Sequence, residues 1–160
     1  MPFIGKLLIE CAVAFVATWA FAALFNVPKE QYVFCGLTGA AGWACYLAVL
    51  AVQPSEPIAC VAASVVLALM SRVFAARRRC PSTVFLISGI FPLVPGAGIY
   101  YTAYYFIMGD NAGGAYYGVH TLKIAVAIAI GIVIVLALPA GFVRPFLTRA
   151  QRKEEAARRK

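Results

Sequence analysis

Two prolines and two glycines fall within seven residues, Pro92-Leu93-Val94-Pro95-Gly96-Ala97-Gly98, and this is the segment best suited to chemistry. Each proline removes a backbone donor, and glycine admits conformations that a helix excludes. The cluster interrupts a charge-free apolar stretch, Ser82 to Met108, so a helix drawn through it must break. In lipid an unpaired amide or carbonyl costs on the order of 2–7 kcal/mol, so a broken helix survives only where protein buries it or a polar cavity receives it. A half-helix restarting near Pro95 or Gly96 would present free amides and the positive end of its dipole, a receptor suited to a carboxylate. Tyr100, Tyr101 and Thr102 place hydroxyl donors on the next turn. One reading is therefore a carboxylate-binding site built from Pro95, Gly96, Gly98, Tyr100 and Thr102. The other is a proline kink that only shapes packing.

Glu10 is the sole acidic residue inside an apolar run, and a carboxylate at membrane depth is costly enough to suggest proton relay or substrate binding. It also stands four residues after Lys6 near one end of that run, where an interfacial ion pair on one helix face is the competing reading. As the chain's sole histidine, His120 is, with Glu10, a candidate for proton coupling. Asp110 and Lys123 flank it and read as interfacial groups. With one histidine and five cysteines that form no Cys-x-x-Cys pair, a His-based metal site is excluded and the thiols read as packing residues. No phosphate loop or nucleophile elbow is present, so neither a cofactor nor an enzyme is expected.

The elements that must carry these residues follow from composition. Of 160 residues, 63% are hydrophobic and 12% charged, against about 25% charged in an ordinary soluble domain. The charges cluster at Lys29–Glu30, at Arg72 to Arg79 and from Arg144 onward, leaving apolar runs of the roughly 20 residues that a bilayer requires. The expected fold is an all-α membrane protein of about five transmembrane helices, over 4–25, 32–52, 58–76, 82–108 and 119–143, the fourth broken at Pro92–Gly98. The first run exceeds the apolar core of a cleavable signal and is expected to remain as a span. Gly36, Gly39, Ala40 and Gly42 give the second span a small-residue face fit for close helix contact. Trp19, Trp43 and the tyrosines at 100, 101, 104 and 105 suit either an interfacial belt or a cavity lining. A polar loop is expected over 109–114, and residues 144–160 form a basic cytoplasmic tail, helical on the membrane surface or disordered.

The net charge of +8 sits at span ends, where it sets orientation and meets anionic lipid headgroups, so membrane lipid rather than nucleic acid is the expected partner. With five spans, Lys29, Arg72, Arg77, Arg78, Arg79 and the basic residues of the tail share one side, leaving Lys6 and Lys123 on the other. Cytoplasmic loops carry the excess of Lys and Arg, which puts the amino terminus outside and the carboxyl terminus inside.

Phe25-Asn26-Val27-Pro28, Cys35-Gly36-Leu37-x-Gly39 and above all Pro92-x-x-Pro95-Gly96-x-x-x-Tyr100 resemble the threonine/serine exporter family, and the chain's size resembles its small, separately encoded subunit. The span-four motif is the specific part, and Pro95, Gly96 and Tyr100 match it directly. Gly98 and Thr102 enter from the physical argument alone. The resemblance implies export of threonine, serine or a small dicarboxylate such as succinate across a bacterial inner membrane, driven by the proton gradient. It further implies a partner, a larger membrane subunit with a cytosolic domain, and leaves room for an oligomer. The competing reading is a structural membrane subunit that scaffolds a transporting partner.

Overall fold

A computed structural model describes residues 3–139. Six helices account for most of them: α1 (Phe3–Leu24), α2 (Tyr32–Val52), α3 (Glu56–Arg78), α4 (Thr83–Ile90), α5 (Gly96–Ile107) and α6 (Asn111–Ala137). Short 3-10 turns at Lys29–Gln31 and Phe91–Leu93 precede α2 and follow α4. Four helices are long and apolar enough to cross a membrane by themselves, and α4 with α5 forms a fifth, bent by 55°. The chain is a multi-pass helical membrane protein with its fourth span broken. The expected basic tail lies outside the described residues.

Local chemistry explains where the helices stop. Asn26 and Arg79 adopt left-handed conformations (φ 53° and 56°) at the ends of α1 and α3. There the Val27 amide reaches back to the Ala22 carbonyl and the Cys80 amide to that of Ala75, closing each last turn. Burial pushes the Cys80 thiol up, and the Arg78 guanidinium offsets part of that shift. In α1 to α4 the interior hydroxyls turn back on their own helices: Thr18 donates to Ala14 O, Thr38 to Phe34 O, Ser64 to Val61 O, Ser71 to Leu67 O and Ser88 to Val84 O. These bonds satisfy buried donors without a partner helix, which is how such residues are accommodated in an apolar solvent.

Helix α2 is the hub. Its Gly36 and Gly39 admit Phe15 and Thr18 of α1, and Gly42 admits Leu67 of α3, so the small-residue face packs against protein on two sides. One core joins Cys60, Ala63 and Leu67 of α3 to Leu93 and to Ile124, Ala127 and Ile128 of α6; a second joins Ala22, Val27, Cys35 and Phe85. Helix α6 follows α3 in parallel, with His120 beside Glu56 at one end and Arg72 beside Val135 at the other. Because α3 and α6 run the same way, the chain between them must traverse the bundle, and α4 with α5 supplies that crossing.

The fifth span differs from its expected bounds of 119–143. It starts at Asn111, because Asp110 caps it by accepting the Gly113 amide at 2.9 Å, so the glycine-rich stretch 111–114 is helical and the loop shrinks to Gly109 and Asp110. Gly109 takes the left-handed φ of 81° that the tight turn requires. The helix ends at Ala137, just ahead of Pro139, whose ring disfavours helical backbone at Leu138.

Candidate functional site

The break in the fourth span is sharper than the sequence motif. Phe91–Leu93 tightens into a 3-10 turn, Val94 is extended (ψ 127°), and α5 begins at Gly96 with Pro95 at its cap position. Pro92 and Pro95 bracket the interruption, whereas Gly96 and Gly98 lie inside α5. Phe91 stacks on Phe21 of α1 at 4.0 Å between ring centroids, which fixes the upstream side of the break. Downstream the first turn of α5 is bare, since Pro95 supplies no capping side chain. The Gly96 amide bonds to Val94 O at 2.8 Å, and open space surrounds the position where a Gly96 Cβ would stand.

The residues expected to form a carboxylate site separate into two groups. Pro95, Gly96 and Tyr100 lie along α5, with Gly96 and Tyr100 on the open surface of the chain and Tyr100 stacked on Tyr104. Gly98 and Thr102 instead face α6. A Cβ on Gly98 would collide with the Thr121 hydroxyl, the Thr102 methyl lies against Gly118, and Phe106 lies against Gly114, an alternation of small and large residues along the hairpin. Thr102 Oγ1 donates to Gly98 O at 2.6 Å, so its hydroxyl is already engaged within the helix. Thr121 Oγ1 is buried with no hydrogen-bond partner among the described residues.

Glu10 is drawn toward the break from the other side. One carboxylate oxygen accepts the Trp43 indole N–H at 3.2 Å, and the other lies 3.7 Å from Lys6 Nζ. The i,i+4 pair expected from sequence is present; the indole bond across 33 residues is not readable from spacing. Glu10, Val13, Ala17, Trp43 and Pro92 line one groove of about 340 Å³, which places the acidic group and the upstream edge of the break on the same surface. A second groove of about 220 Å³, between Lys6, Glu10, Leu47 and Leu50, adjoins it. Trp43, stacked on Tyr46 at 5.1 Å, lines the first groove.

His120 sits elsewhere, its Nε2 3.4 Å from Glu56 Oε2 where α6 meets the start of α3. Asp110 is occupied as the cap of α6. The tyrosine cluster is larger than the sequence suggested: Tyr117 joins it, parallel to Tyr105 at 5.3 Å and beside Tyr101. Placing Tyr117 in a helix rather than next to a loop would have revealed it. No group of His, Cys, Asp and Glu suited to a metal occurs among the described residues.

The arrangement provides a helix start with an uncapped first turn and, in a groove that reaches Pro92 at the upstream edge of the break, a carboxylate held by an indole: parts suited to binding a small charged metabolite. A family model described as "Threonine/Serine exporter, ThrE" matches residues 10–138, which span every element described here except the first turns of α1. No curated protein and no solved structure matches the chain. With most of its length covered by that match, and its broken fourth span carrying the motif that suggested it, the chain belongs to the threonine/serine exporter family.

Proposed function

We propose that the chain is the small subunit of a secondary exporter in a bacterial inner membrane, moving threonine, serine or a small dicarboxylate such as succinate out of the cell. One observation carries the reading: in an exporter-family chain the fourth span stops at Val94–Pro95 and restarts as α5 with an uncapped first turn. Such a turn favours an anion, because no side chain caps it, the Ala97 and Gly98 amides precede the first intrahelical bond, from Ile99 to Pro95 O, and the helix dipole adds partial positive charge. A substrate carboxylate docks there, with the Tyr100 hydroxyl one turn on. Glu10 and His120 are the groups through which a proton gradient would act. The amino terminus lies outside and the carboxyl terminus in the cytoplasm, as the Lys and Arg distribution favours.

A larger membrane subunit with a cytosolic domain completes the site. The support is that α5 has no buried residue and packs chiefly on α6, so the irregular backbone at its start is open in the isolated chain. Lipid does not receive such backbone, and protein must cover it. The engagement of Gly98 and Thr102 with α6 favours the second reading, a subunit that only scaffolds its partner.

Cells loaded with labelled threonine, serine or succinate separate the two. With Gly96→Leu, which fills the space before the bare turn, or Tyr100→Phe, which removes one hydroxyl, export should fall about tenfold or more while the complex still co-purifies. Loss of assembly together with export would favour the scaffold.

A further inference from the structure

We propose that Glu10 reads the ammonium group of the substrate and so selects amino acids over dicarboxylates; this rests on the exporter reading above. Glu10 lies about 10 Å along α1 from Phe3, seven residues at 1.5 Å each. Its side chain is 29% exposed, so it is largely covered but still open to a ligand. The Trp43 indole, donated from α2 at 3.2 Å, ties one oxygen to a second helix and holds the carboxylate in place. Lys6 is a weak competitor: its side chain is 76% exposed, and pairs of that kind contribute little. An ionised carboxylate has about four acceptor positions, and the indole and the lysine use two. The remainder are open to a donor in the groove.

The groove fits that donor. At about 340 Å³ it falls within the roughly 300–1,000 Å³ of small-molecule sites. Val13 and Ala17 give it apolar walls suited to a short aliphatic side chain, and Trp43 adds an aromatic side chain. Pro92 completes its lining and begins the interruption after which the bare turn of α5 starts. The groove thus carries a carboxylate and touches the segment that leads into the helix start. A zwitterion with its carboxylate toward α5 and its ammonium toward Glu10 satisfies both. A dicarboxylate would bring its second negative charge toward Glu10, which is selection by repulsion.

Threonine and 3-hydroxybutanoate differ only in the ammonium group, which makes them the discriminating pair. The measurement is uptake of each labelled compound into inverted membrane vesicles from cells making the full-length chain with its native partners. The wild type should favour threonine by about tenfold or more, the scale of one charged hydrogen bond, and Glu10→Gln should bring the ratio near unity while Glu10→Asp retains it. A ratio unchanged in Glu10→Gln overturns the proposal, because a carboxylate acting only in proton coupling or packing would move both compounds together. If Glu10→Gln does not reach the membrane, competition on the wild type decides: poor competition with labelled threonine by 3-hydroxybutanoate and N-acetylthreonine supports it, and competition equal to unlabelled threonine overturns it. Transport of neither the pair nor succinate would instead sink the exporter reading itself.

Discussion

Gly131 of α6 stands where a side chain has no room: a Cβ there would collide with the Ser64 hydroxyl and lie 2.7 Å from the Val61 carbonyl oxygen of α3. Gly36 is also tight, but its neighbour is the Phe15 ring, the movable end of a side chain. Gly131→Ala should therefore destabilise the chain by about 1–3 kcal/mol, the usual cost of overpacking, and Gly36→Ala by clearly less. Thermal unfolding in detergent micelles orders the two; equal losses would mean that α3 and α6 separate as easily as a ring turns. The sequence shows such glycines as a kind, and on α2 the inference of close approach holds. Gly98 is different. Next to two prolines it reads as backbone freedom at a break, whereas it makes room for Thr121, a partner that only the pairing of α5 with α6 identifies. The Glu10–Trp43 bond escapes sequence for the same reason, since no local period links α1 to α2.

At the scale of the element, α6 is fixed at both ends by side chains of opposite charge. Asp110 accepts the Gly113 amide at its start, and Arg72 of α3 donates to Val135 O at 2.5 Å and Leu138 O at 2.8 Å at its end. Anion at the amino end and cation at the carboxyl end both complement the helix dipole. Arg72→Met keeps the apolar stem but removes the charged donors, so it should cost about 1.5–3 kcal/mol and speed amide exchange in the last turn of α6. Unchanged exchange at Val135 to Ala137 would show that the carbonyls find other donors. Sequence places Arg72 among the charges at a span end; it cannot show that helix carbonyls lie within reach, because they belong to a segment over sixty residues away. Composition hides the start of α6. Gly113 and Gly114 look like loop, yet one aspartate three residues ahead of an amide is enough to begin the helix.

For the whole molecule, five crossings were legible because the spacing of charges and prolines divides the apolar sequence at bilayer length. The direction of each crossing is a property of the packed bundle. Helices α1, α3 and α6 run one way and α2 the other, with α4 and α5 together returning the chain from the end of α3 to the start of α6. Reporter fusions at the two termini should accordingly appear on opposite sides, the amino-terminal one outside. Both reporters on one side would contradict the parallel course of α3 and α6. The exposed α5 could not be foreseen, since an apolar sequence does not distinguish a face meant for lipid from one meant for protein.

The two pieces of the fourth crossing belong to different neighbours. Helix α4 is clamped by α1, α2 and α3, while α5 rides on α6. A change in the tilt of α6 would carry α5 with it and leave α4 behind, concentrating the displacement at Val94 and Pro95. The peptide units proposed to receive the anion would thus form the pivot of a two-piece linkage, so that turning the joint and loosening the grip on cargo would become the same event.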